Sequence, residues 1–329
     1  MRLLLTVLIT AIVISSPCLA GDYEVVVLGN GGSTKWSLHG TYLSYISGEG
    51  LMLYVVDSGY SRSLIPADSV RAISRNHYYW LEPDKMIFAW TNECHLPSGE
   101  VRLCRVFFTV DVHGNYTVLF EEDYGVGETK QGMLVKMSNG EVGIKGAGAL
   151  TMQNLKERLG RSVTDTSAYY VVSNDGRPHY LNWGLPKDKD IWLVNYDGTP
   201  RKRVTIDKAF RLIELSPDGQ LIVAWSGGPT IIDLDGNIVW KFRGGGGGSW
   251  FADSHRLAVS VETDDGYDIT GGDIYVIDVL DQTALQITAT PDKIELKPSV
   301  SPDMKKIAYW CYKCNGNHLE ILYLEGGPR

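Results

Sequence analysis

The chain has 329 residues, is 44% hydrophobic and 21% charged, and carries a formal charge of −8, which is a globular composition with an acidic excess. No basic run offsets that excess, so the composition argues against a nucleic-acid partner; Arg201-Lys202-Arg203 reads as a charged outer edge strand, where charge discourages strand addition. After the first twenty residues no apolar stretch is long enough to cross a bilayer as a helix.

Residues 1–20 read as a signal peptide. Arg2 supplies the positive start, Leu3 to Ile14 the apolar core, and Cys18-Leu19-Ala20 before Gly21 the small-residue cleavage site. Ser15-Ser16-Pro17 is a poor lead-in for lipid attachment at Cys18. The expectation is a secreted or periplasmic chain whose mature part, residues 21–329, is one domain. Four cysteines remain in it, and an even number in an oxidising compartment predicts two disulfides. Cys94 and Cys104 flank a hairpin and are expected to pair, leaving Cys311 for Cys314. A metal site on Cys311, Cys314 and His318 is the alternative, but it has no evident fourth ligand.

From Gly32 onward the chain repeats one pattern. An apolar run meets a turn, and two or three short β-branched runs follow. The clearest copy is Phe210 to Phe242. Its runs are Leu212–Leu215, Leu221–Trp225, Thr230–Leu234 and Ile238–Phe242, separated by Ser216-Pro217-Asp218-Gly219, Gly227-Gly228-Pro229 and Asp235-Gly236. Leu221–Trp225 has no polar alternation and reads as a strand buried on both faces. In chain order, equivalent turns fall near residues 37, 82, 138, 173, 216, 252 and 301. A period of about forty residues with four short strands per unit predicts a β-propeller. The count is seven blades, with the unit after Met137 degenerate and Gln153 to Leu159 helical in character. Six is the alternative, if residues 131–165 are an insertion. The last unit supplies three strands, and Tyr23 to Leu28 is a strand without a unit, so the N-terminal strand is expected to close the ring as the last blade's outer edge.

The Ser-Pro-Asp-Gly turn at 216–219 and the Ser301-Pro302-Asp303-Met304 turn before Ile307-Ala308-Tyr309, with strands such as Asp273-Ile274-Tyr275-Val276-Ile277-Asp278, resemble TolB-type (WD-repeat-like) propeller repeats, loosely over residues 31–326 and best over 168–206, 211–243 and 298–324. Residues 131–165 depart from it. The resemblance implies a binding platform and carries no catalytic residues with it.

The chemistry-bearing motifs are few. There is no G-x-S-x-G elbow, no H-E-x-x-H helix and no G-K-[ST] phosphate loop. Gly244 to Gly248 reads as a linker between units. Asp264, Asp265 and Asp268 form an acidic turn with a weak claim on calcium. Asn115-Tyr116-Thr117 has the form of a glycosylation sequon. Each blade's first strand lines a propeller's channel, which nominates Lys35, His77, Tyr78, Tyr169, Arg211, Trp250 and Lys297 as a binding mouth. The competing reading packs the aromatics between blades. The expected function is a non-catalytic platform for a protein, peptide or surface polymer, as a monomer or within an envelope assembly, without catalytic residues or cofactor. The alternative is a lyase or hydrolase acting on polysaccharide through the channel. The seven histidines, at 39, 77, 95, 113, 179, 255 and 318, would then have to converge from dispersed positions.

Overall fold

The computed structural model describes residues 23–67, 73–95, 98–123, 133–145, 167–173, 190–197, 199–206, 210 and 213–324. Strands β2 (Gly32–Trp36), β3 (Tyr42–Ser47), β4 (Gly50–Val55) and β5 (Tyr60–Pro66) form the first antiparallel sheet in sequence order. The second holds β6 (Ile73–Glu82), β7 (Lys85–His95), β8 (Val101–Asp111) and β9 (Tyr116–Asp123). Then come a pair, β10 (Met133–Lys136) and β11 (Val142–Lys145), and a trio, β12 (Tyr169–Ser173), β13 (Ile191–Asn195) and β14 (Pro200–Arg203). The next sheet is β15 (Ile213–Leu215), β16 (Leu221–Trp225), β17 (Pro229–Asp233) and β18 (Ile238–Lys241). It is followed by β19 (Gly248–Trp250), β20 (Arg256–Asp264), β21 (Ile269–Asp278) and β22 (Thr283–Gln286). Last come β23 (Ile294–Val300), β24 (Lys306–Tyr312) and β25 (His318–Tyr323), with β1 (Val25–Gly29) on the outside. Among the described residues, the strand pairing between these last two sets is the single parallel pair Gly272–Ile294. The pair β10–β11 stands where the expectation divides between six and seven blades.

The strand pattern explains the architecture. Along β16, Ile222 and Ala224 bury against the β12–β14 sheet, while Val223 and Trp225 bury against the β19–β22 sheet. Side chains alternate across a strand, so a strand apolar at every position must be covered on both faces. The other core clusters do the same around the ring. Leu51 and Leu53 meet Tyr78 and Phe88, Phe107 meets Leu134, and Tyr170 packs with Met137. Phe251 packs with Tyr309, and Tyr45 with Ile321, which joins the last sheet to the first. Sheets that stack on both neighbours until the ring closes form a β-propeller.

The expected closure is present. β1 runs antiparallel to β25, with Val25 opposite Leu322 and Val27 opposite Glu320. β14 pairs only with β13, so Arg201-Lys202-Arg203 is an outer edge as read from its charge. The repeated turn is held by its own side chains. Ser216 Oγ accepts from Leu221 N at 2.9 Å and donates to Asp218 Oδ1 at 2.5 Å, and Gly219 takes φ +74°. Ser301 and Asp303 repeat this, with Lys306 N donating to Ser301 Oγ at 2.9 Å. Gly244–Gly248 joins β18 to β19, the linker role expected of it.

Cys311 and Cys314 are disulfide-bonded across the turn between β24 and β25. Cys94 and Cys104 stand on the paired strands β7 and β8, opposite Arg102 and Asn92 respectively; their side chains lie outside what is described, as do residues 1–20 and 153–159.

Candidate functional site

First strands of neighbouring sheets adjoin one another, β2 meeting β6 and β23, β10 meeting β6, and β19 meeting β23, and one register position on them recurs. Trp36 Nε1 donates to Ser299 O at 2.9 Å, and Trp80 Nε1 donates to Lys35 O at 3.1 Å. Trp80 therefore corresponds to Trp36, Tyr79 to Lys35, and Lys35 to Ser299. Counting two residues back from the turns at Ser138, Ser216 and Phe251 adds Lys136, Glu214 and Ser249 to the same level. Lys35, Tyr79, Lys136, Glu214, Ser249 and Ser299 thus occupy equivalent places around the ring.

Four of them are coupled electrostatically. Burial pushes the Lys35 ammonium down to about 8; Glu214 opposes the shift and Lys136 adds to it. Burial raises the Glu214 carboxyl, while Lys136 and Lys35 pull it back. Tyr79 is pushed up to about 12 by burial and then by the Glu214 charge. These groups come from β2, β6, β10 and β15. β2 and β15 belong to sheets that are not neighbours, so Lys35 and Glu214 can sense each other only across the centre of the ring. Lys35, Tyr79 and Glu214 are half-buried, retaining water contact while protein surrounds them, as expected of a channel wall. Lys35 Nζ lies 4.1 Å from the Tyr79 ring centroid and 5.1 Å from that of Tyr78, a cation–π position.

Such a set can do acid–base chemistry. A Lys near 8 is neutral in about a tenth of molecules at pH 7 and in about half at pH 8, so it can accept a proton near neutrality. Burial favours the protonated form of the Glu214 carboxyl, against the pull of Lys136 and Lys35. Lys136 is exposed and offers a cation to an anionic ligand.

Of the residues nominated from sequence, Lys35 belongs to this set. Tyr78 is fully buried and its hydroxyl donates to Ser33 O at 2.8 Å. Tyr169 is 9% exposed and its hydroxyl donates to Gly219 O at 2.6 Å, clasping two adjacent sheets. Trp250 is core. Lys297 is exposed with its Nζ 5.3 Å from the Trp310 ring centroid. Arg211 and the side chain of His77 lie outside what is described. For the indoles of Trp36, Trp80 and Trp250 the interblade packing reading holds, because each is buried between sheets. Tyr79, Lys136 and Glu214 were not nominated among the site residues.

The remaining motifs resolve locally. Asp264 Oδ1 accepts from Gly266 N at 2.9 Å, and Asp265 Oδ1 accepts from Tyr267 N and Asp268 N at 2.9 and 2.8 Å, so these carboxylates shape their own turn. His39 and His113 are exposed on turns, His255 lies between Asp253 and Asp278, and His318 lies against Glu320. The described histidine side chains do not gather at the channel. Among the described residues, no helix is long and apolar enough to cross a membrane.

No family model and no curated protein matches the chain. The TolB-type resemblance is therefore carried forward only as a propeller arrangement. Solved structures similar to the chain include an oligogalacturonate lyase from Vibrio parahaemolyticus, at 13% identity over 89% of this chain and 78% of that chain with TM-score 0.42. Another is an oligogalacturonate lyase in complex with manganese, at 16% identity over 90% of this chain and 77% of that chain with TM-score 0.44. The expectation of a non-catalytic platform is corrected against these matches, because both similar propellers are named as lyases. The enzyme alternative is the reading kept. At this degree of likeness the matches supply no argument for a substrate, and the case for chemistry rests on the channel residues.

Proposed function

We propose that this propeller is an enzyme that cleaves a carboxylate-bearing glycan in its central channel by proton abstraction and elimination. The observation that carries the reading is the meeting of a depressed Lys35 with Glu214 and Lys136 from separate sheets. In an acidic sugar the hydrogen on the carbon next to the carboxylate is the most acidic carbon-bound proton. Lys136 pairs with that carboxylate and stabilises the charge that builds on it. Neutral Lys35 Nζ takes the proton. The freed electron pair forms the carbon–carbon double bond, the bond to the glycosidic oxygen breaks, and that oxygen receives the Glu214 proton. Tyr79, held protonated, donates a hydrogen bond at the same level. The overall −8 charge of the chain would repel such a polymer, so the local cations Lys35 and Lys136 supply the attraction.

The test is turnover of polyuronate oligomers, read as ultraviolet absorbance of the unsaturated product. Cleavage that falls by about a hundredfold or more in Lys35→Met, with the fold intact, supports the proposal. No turnover by the wild-type chain across uronate polymers, or unchanged turnover in Lys35→Met, overturns it.

A further inference from the structure

A second group of chemistry-bearing side chains lies on the closing sheet, on the face by which Tyr309 packs against the neighbouring sheet. Cys311 on β24 is the cross-strand partner of His318 on β25, and Glu320, two residues on, projects from the same face. One ligand atom from each of these three lies within 4.8 Å of the others. Cys314 is outside that trio, but its sulfur is bonded to that of Cys311. Lys313, Asn315 and Gly316 take φ of +59°, +53° and +107°, folding the Cys-x-x-Cys segment into a tight knuckle. Sequence spacing alone offered two cysteines and a histidine; the ladder supplies the fourth donor, Glu320.

The surroundings point to a cation. Glu320 is 1% exposed, and its carboxylate takes bonds from Lys293 Nζ at 2.9 and 3.1 Å and from Tyr309 Oη at 2.6 Å. His318 Nε2 faces Glu320 Oε1 at 2.9 Å. Glu295, opposite Cys311 on β23 and 1% exposed, leaves its Oε2 without a hydrogen-bond partner. Buried polar atoms are ordinarily paired, so an unpartnered oxygen beside this cluster marks a missing partner at this place.

We propose that this hairpin is a redox-gated site for a thiophilic divalent cation of the zinc class, held by Cys311, Cys314, His318 and Glu320 once the disulfide is reduced. A dithiol reductant gives two electrons and two protons to the Cys311–Cys314 bond and leaves as its own disulfide. The cation then displaces both thiol protons to solvent and binds two thiolates, the imidazole and one carboxylate oxygen, a tetrahedral set. It replaces the hydrogen bond between His318 and Glu320, and the imidazole keeps its proton on Nδ1. Three ligand charges against two on the cation leave one negative charge, which Lys293 offsets.

The experiment is a cobalt(II) titration of the full chain, in the disulfide form and after reduction with a thiol-free phosphine. The thiolate-to-cobalt charge-transfer band is read, and near-ultraviolet circular dichroism checks the fold. The proposal expects one tetrahedral cobalt per reduced chain, no band in the disulfide form, no band in Cys314→Ser, and binding weaker by about tenfold or more in His318→Ala. Cys314→Ser is preferred over Cys311→Ser because Cys314 is the less buried of the two, at 6% against 0% exposure. A folded reduced chain without the band, a reduced chain that unfolds, or equal binding in Cys314→Ser overturns the proposal. The Cys314→Ser comparison also separates this site from Cys94 and Cys104, which that variant retains.

Discussion

Lys35 links stability to chemistry with opposite signs. Its pKa falls from 10.5 to about 8 on folding, mainly by burial. A charged Lys at that place therefore costs the folded state about 3 kcal/mol at pH 7, as an upper bound, since each unit is about 1.4 kcal/mol. Between pH 8 and 10.5 the unfolded chain binds the proton and the folded chain does not, so stability rises with pH across that window. Lys35→Met removes the penalty and keeps most of the stem's packing. The gain is smaller than the bound, because Glu214 loses one of the two cations that favour its ionised form. The expected result is a variant more stable than wild type by about 1–2 kcal/mol at pH 7, converging with it near pH 10, and inactive. Urea denaturation at pH 7, 8.5 and 10 measures this if the unfolding is two-state. A variant less stable than wild type at pH 7, or a difference that does not change with pH, refutes the electrostatic reading of the channel.

Turnover itself should rise with pH through about 8 as Lys35 loses its proton; a pH–rate profile flat from 6 to 9 contradicts the role given to it. Ile222→Ala, at a fully buried site between two sheets, should cost about 2–5 kcal/mol in chemical denaturation. Tyr169→Phe removes the bond to Gly219 O that joins neighbouring sheets and should cost about 1 kcal/mol, measured the same way. Gly236 has φ +89° and a Cβ there would sit 2.1 Å from Val204 O, so Gly236→Ala should cost about 2 kcal/mol or more. Gly246→Ala meets only the movable Glu262 carboxylate, at 1.9 Å, and should be mild by comparison in thermal unfolding.

The strands were legible because their information is local. β16 and β17 follow the apolar runs of the sequence, and Ser216 and Asp218 act within their own turn. The double-sided burial of β16 was legible too, since unbroken apolar patterning admits no solvent face. Ring closure by β1 followed from counting strands against units. The channel was only half legible. Lys35 was found as a residue just before a turn, but Lys136 and Glu214 stand at the same offset and were passed over. The signal was a register rule, two residues before each turn, and it needed the repeat aligned residue by residue. The aromatic residues near those positions, Tyr78, Tyr169 and Trp250, are buried and serve packing.

Sequence by itself determined the repeat, the turn chemistry, the charged outer edge and the disulfide at Cys311–Cys314, because each depends on residues close along the chain. Tertiary structure alone decided which charges share the channel and which side chains join Cys311 and Cys314. Lys35 and Glu214 are almost two hundred residues apart and sit on sheets that are not neighbours. Only ring closure brings them within electrostatic reach, and only burial within that ring shifts their protonation.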